Sequence, residues 1–115
     1  MRVYIAATTS QLADLASAKV CSFAEYLAPD QFEFPIETTE EEREDLVAQL
    51  AADDSAELNQ GKSRIVIAAD LNENQLTADK FQLNLDQIAA FLIGEEMAWY
   101  APEEIKYELP RLVVS

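Results

Sequence analysis

The chain has 115 residues, 50% hydrophobic and 26% charged, which is enough to bury a core of its own and excludes collagen, coiled coil and wholesale disorder. Acids number 22 and bases 8, with no histidine, for a net charge of -14. Direct nucleic-acid binding and attraction to an anionic membrane are therefore disfavoured, because both reward clustered Lys and Arg, whereas the bases here stand singly among acids. The longest purely apolar run, residues 88–93, is far below the roughly 20 residues that span a bilayer.

Residues 2–7 have the β-branched and aromatic content of a first strand, with Val3 and Ile5 on one face and Tyr4 on the other. Thr8 and Gln11 have capping-box spacing and open a helix that buries Leu12, Leu15 and Ala16, with Lys19 at its C-terminal end. Residues 20–27 fit either a strand or a helix. They are assigned as a second strand, ended by Ala28-Pro29-Asp30. Residues 31–37, interrupted by Pro35, are expected to form an edge or a loop.

Thr39 and Glu42 repeat the capping-box spacing, and Glu40, Glu41 and Glu42 occupy the first turn, where the helix dipole favours negative charge. Leu46, Val47, Leu50, Ala51 and Leu58 give the expected buried stripe of a helix running to about Asn59 and stopped by Gly61. Residues 65–69 are apolar without a break and predict a central strand buried on both faces. Residues 71–79 read as a polar connection. Phe81, Leu83 and Leu85 then alternate with polar residues as a half-buried strand. Residues 88–93 allow a helix capped by Asp86, but the short run ending at Gly94 favours a strand. Pro102, followed by Glu103 and Glu104, predicts a short C-terminal helix through Tyr107, stopped before Pro110, and residues 112–114 could add edge pairing. The expected architecture is α+β (or α/β). It is a single domain over residues 1–115, with a mixed sheet of four to five strands, two main helices and a short C-terminal helix.

The absence of histidine removes Ser-His and Cys-His nucleophilic machinery, histidine metal ligands and the usual neutral-pH base. Gly61 and Gly94 stand alone, so no phosphate-binding glycine loop can be drawn. Cys21, the only cysteine, reads as a reduced, buried thiol. No cofactor is implied. Asp70-Leu71-Asn72-Glu73-Asn74 begins like a calcium loop, but Gln75 stands where Gly is needed and Phe81 where Glu is needed. Asp70, Glu73 and Asn74 remain candidate ligands for a divalent cation at a strand end, against the plainer reading of a turn whose side chains bond the nearby backbone. Glu95-Glu96 and Asp53-Asp54 are adjacent in sequence and would point apart, so neither is a shared-proton dyad. Met97, Trp99 and Tyr100 have the composition of a partner-contact patch. Glu40, Glu41 and Glu44 are the acidic counterpart of a basic protein partner.

The opening Met-Arg-Val-Tyr-Ile-Ala-Ala-Thr, the acidic run Glu40-Glu41-Glu42-Arg43-Glu44 and the segment Arg64-Ile65-Val66-Ile67-Ala68-Ala69-Asp70 together resemble a family of small actinobacterial proteins of unknown function. The resemblance implies a cytoplasmic bacterial protein, agrees with strands at Val20 and Ile88, and brings no catalytic residue. The leading expectation is a non-catalytic, cytoplasmic interaction or regulatory module with a basic protein partner, nucleic-acid mimicry by the acidic row 37–57 being a special case. The alternatives are a carboxylate or metal-assisted enzyme acting through Asp70, and a structural homo-oligomer.

Overall fold

In a computed structural model, residues 1–105 and Tyr107 are described. The first strand, β1 (Arg2–Ala6), leads into helix α1 (Thr9–Ala18). Its capping box is formed as expected: the Thr8 hydroxyl accepts from the Gln11 amide at 3.1 Å, and Gln11 Oε1 accepts from the Thr8 amide at 2.9 Å. Lys19 ends the helix in the left-handed region at φ 63°. Strand β2 (Val20–Phe23) follows and is shorter than the sequence suggests; beyond it the chain makes one isolated bridge, Leu27 to Tyr4.

Helix α2 (Glu40–Leu58) starts on the Thr39–Glu42 box and ends where the Gly61 amide, at φ 77°, donates to the Ala56 carbonyl at 2.6 Å. Strand β3 (Ile65–Asp70) is central and has five consecutive buried residues. Fully burying Ile65, Val66 and Ile67 contributes roughly 1.5–3 kcal/mol each. The expected polar connection after it contains a third helix, α3 (Glu73–Thr77), opened by reciprocal Asn72–Gln75 capping bonds. Strand periodicity could not reveal this helix, because a single turn held by its cap carries too few apolar residues to show a pattern. Strands β4 (Phe81–Asn84), β5 (Ile88–Ile93) and β6 (Ala98–Tyr100) complete the order, so residues 88–93 are a strand.

The α+β class holds, but one mixed sheet does not form. All described strand pairs are antiparallel and divide into a four-stranded sheet, β1-β3-β5-β6, and a two-stranded sheet, β2-β4. On one face of the large sheet, Val3, Ile5, Ile65, Ile67 and Phe91 pack with Leu12 and Leu15 of α1 and with Phe23 and Leu83 of the small sheet. On the other, Tyr4, Val66 and Ala68 meet Val47, Ala48, Ala51 and Ala52 of α2.

That second interface corrects the expected α2 stripe. Val47 and Ala51 are buried, but Leu46, Leu50 and Leu58 are 51%, 45% and 57% exposed. The inward face is made of small side chains and Ser55, which let the helix lie close on the sheet, and the leucines fall outside it. After β6 the chain enters the expected short helix through a 3-10 turn at Pro102–Glu104, and Ile105, which is buried, and Tyr107 are helical. Lys106, the expected helix stop before Pro110 and the pairing at 112–114 lie outside the described residues.

Candidate functional site: an acidic cleft beside the first strand

The backbone of β1 explains where the molecule opens. In an antiparallel ladder, successive residues point their N–H and C=O alternately toward one neighbour and the other. The Ala7 amide bonds the Ile65 carbonyl at 3.0 Å, so Ala7 faces β3; Tyr4 bonds Leu27 through both its amide and carbonyl, at 2.7 and 2.8 Å, so Tyr4 faces outward. By the same alternation Ala6 faces outward, and the Leu27 segment does not continue the ladder to it. A cleft of about 480 Å³ fills the gap, within the roughly 300–1,000 Å³ usual for ligand clefts.

Ala6 and Thr8 border this cleft on one side and Glu25, Tyr26 and Leu27 on the other, while Asp54, Glu57 and Leu58 of α2 form a third wall. Tyr4 and Phe23 contribute aromatic surface, and no Lys or Arg lines the cleft. Glu25, Asp54 and Glu57 are exposed, and neither of the two ion pairs among the described residues, Arg2–Asp70 and Arg64–Asp53, involves them.

A buried polar node fixes the α2 wall. Ser55 is fully buried; its hydroxyl donates to the Ala7 carbonyl at 2.7 Å and accepts from the Ile65 amide at 2.8 Å. It thereby stands in for the rung that would return from Ile65 to Ala7. Asn59 joins it, donating to the Ala7 carbonyl at 3.1 Å and accepting from the Thr9 amide at 3.1 Å. Tyr4 tethers the middle of the helix by donating its hydroxyl to Glu44 at 3.2 Å. Burial, followed by the Glu44 charge and this hydrogen bond, pushes the phenol up to about 12.

The sequence-derived candidates separate in space. Glu40 and Glu41 lie exposed on the first turn of α2, whereas Glu44 is half-buried and holds Tyr4. Asp70 ends β3, but its carboxylate pairs with Arg2 at 2.9 and 3.3 Å, a hydrogen bond that lowers its pKa. Glu73 starts α3, and Asn74 borders a separate surface depression. Among the described residues, no group of three or more His, Cys, Asp and Glu is placed to hold a metal ion. Trp99 and Tyr100 fall on opposite faces of the sheet: Trp99 lies across from Leu92, on the α2 side, and Tyr100 across from Phe91. Met97 adopts φ 55° in the turn after Gly94 and packs on the α2 side. Cys21 is half-buried, not fully buried, and desolvation first, then Asp14, raises its pKa and keeps it a thiol.

Sequence reasoning did not find the cleft. Asp54, Glu57 and Leu58 were legible as helix residues, but their meeting with Ala6 and Glu25 depends on where a strand ladder stops.

The fold and this cleft define an acidic α+β domain. The chain belongs to a family of unknown function, DUF6912, whose model matches residues 1–93. No curated protein and no solved structure matches it. The match ends with β5, so the cleft residues lie within it and Met97, Trp99 and Tyr100 beyond it. No helix among the described residues is long and apolar enough to cross a membrane.

Proposed function

We propose that this chain is a non-catalytic interaction or regulatory module of the bacterial cytoplasm that receives a basic protein partner on its acidic α2 side. The observation that carries this reading is the outward surface of α2. The helix bears eight acids and one base, and its exposed leucines stand among the carboxylates. Such a surface combines electrostatic steering with apolar contact, the composition expected of a binding face.

The test is capture of partners from native cytoplasm at low and high salt by wild type, the Glu40/Glu41/Glu44→Gln variant and Trp99→Ala. A basic partner bound at low salt, lost at 1 M salt where the Debye length shrinks to about 3 Å, and lost on the Gln variant supports the reading. A partner lost only on Trp99→Ala moves the contact to β6, and no basic partner in any condition refutes it. A second reading, self-association through the β6 edge, is favoured by Trp99, 62% exposed beside Leu92. Light scattering that finds only monomer at high concentration would dismiss it.

A further inference from the structure

We infer that the cleft beside β1 binds an extended basic segment of a partner protein by strand addition, pairing its backbone with Ala6 while Glu25, Asp54 and Glu57 take a Lys or Arg side chain. The inference rests on the basic-partner reading and narrows it to one place and one mode. Three independent features converge there.

The first is the backbone. Tyr4 and Leu27 form one complete antiparallel rung, and two residues further along β1 the outward N–H and C=O of Ala6 border the cleft without a rung of their own. An incoming strand set where the Leu27 segment turns away would supply that rung, as strand addition does on other exposed sheet edges.

The second is charge. Two carboxylates hang from α2 and one from the 24–27 segment, on different walls of one cleft that has no base of its own. A cationic side chain entering between them meets attraction from more than one side.

The third is the apolar surface. Phe23, Tyr26, Leu27 and the 57% exposed Leu58 line the same space, so the neighbouring residue of the segment should be apolar. Alternate residues of a strand point to opposite sides, so a basic–apolar alternation turns its basic side chains toward the α2 side, which carries Asp54 and Glu57, and its apolar ones toward the side of Phe23 and Tyr26.

The test uses the full chain, labelled with nitrogen-15, and three blocked pentapeptides at low salt: Lys-Val-Lys-Val-Lys, Lys-Gly-Lys-Gly-Lys and Glu-Val-Glu-Val-Glu. The first is expected to bind with shifts at the Ala6, Leu27 and Leu58 amides and with slowed exchange of the Ala6 amide. Asp54→Asn/Glu57→Gln, both at exposed positions, should weaken it about tenfold. N-methylation of the peptide's central lysine, which removes a backbone donor without touching the protein, should weaken it about fivefold.

Shifts confined to residues 40–46 would overturn the cleft and leave the basic-partner reading standing. Equal binding of the Lys-Gly peptide would overturn the apolar contact, and indifference to N-methylation would overturn the strand-addition mode. Failure of both Lys peptides to bind at low salt would remove the cleft proposal, and a basic partner still captured on α2 would keep the broader reading alive.

Discussion

Replacing Ser55 with alanine tests how α2 is joined to the sheet. The Ser55 hydroxyl is the acceptor for the Ile65 amide and a donor to the Ala7 carbonyl, and both strands are buried at that point. In Ser55→Ala the Ala7 carbonyl keeps Asn59 Nδ2 at 3.1 Å, but the Ile65 amide loses its partner. Leaving a buried donor unsatisfied costs about 1–3 kcal/mol, and the better helix propensity of alanine returns about 0.5 kcal/mol. The net loss should be about 0.5–2.5 kcal/mol, a fall in Tm of roughly 2–10 °C for a domain of this size. Urea denaturation should show a lower midpoint with an unchanged slope, and native-state exchange should show faster loss of the Ile65 amide proton. A loss below about 0.5 kcal/mol with unchanged Ile65 exchange would refute the reasoning, because it would mean that Ile65 and Ala7 close the rung directly.

Four further outcomes follow from the same structure. Tyr4 is held protonated to about 12 in the folded state against 10.0 ordinarily. The stability from its neutral form is thus whole below pH 10 and lost as pH rises from about 10 toward 12; denaturation midpoints should fall across that window in wild type and much less in Tyr4→Phe. The Arg2 guanidinium lowers the Asp70 pKa, so this pair contributes above the unfolded carboxyl's pKa and is lost as pH falls through the folded one. Both partners are substantially exposed, so Asp70→Asn at neutral pH should cost no more than about 1 kcal/mol by denaturation, and a larger loss would show a role beyond the pair. Ala51→Leu, at a fully buried position on α2, should cost about 1–3 kcal/mol by overpacking, whereas Leu50→Gln on the outer face should stay within about 0.5 kcal/mol, both read from urea midpoints. Gln75 and Gln87 exchange side-chain amide bonds at 3.0 and 2.8 Å while each caps its own turn, so a double-mutant cycle to alanine should give coupling of about 0.5–3 kcal/mol; additivity would refute the pairing.

Much of the fold is written in local signals. The capping boxes at Thr8 and Thr39, the apolar run at 65–69 and the alternation of Phe81 and Leu83 each determine an element within a few residues, and those elements form as the sequence indicates. Pairing is a different matter. The central place of β3 follows from its unbroken apolar run, but nothing local says that β2 and β4 pair apart from the other four strands, because both are ordinary half-buried strands. The α2 stripe failed for a related reason. Hydrophobic size points to leucine, while close approach of a helix to a sheet selects alanine and serine, so Ala48, Ala52 and Ser55 were overlooked and Leu46, Leu50 and Leu58 misplaced.

The site and that packing error share one cause. Because α2 seats its small residues on β1 and β3, its Ser55 hydroxyl comes near enough to intervene between Ala7 and Ile65, and Asn59 reaches the start of α1. The same last turns then carry Asp54, Glu57 and Leu58 past the edge of β1, where the Leu27 segment has left Ala6. A bulkier inward face would lift the helix, break the hydroxyl relay and move the acidic wall away from the strand together. Stability and cleft geometry are therefore coupled through Ser55, whereas Asp54 and Glu57 on the exposed side change the charge of the cleft without touching the node. Comparing Ser55→Ala with Asp54→Asn/Glu57→Gln in the peptide titration separates the two contributions: the first should weaken binding and stability together, the second binding alone.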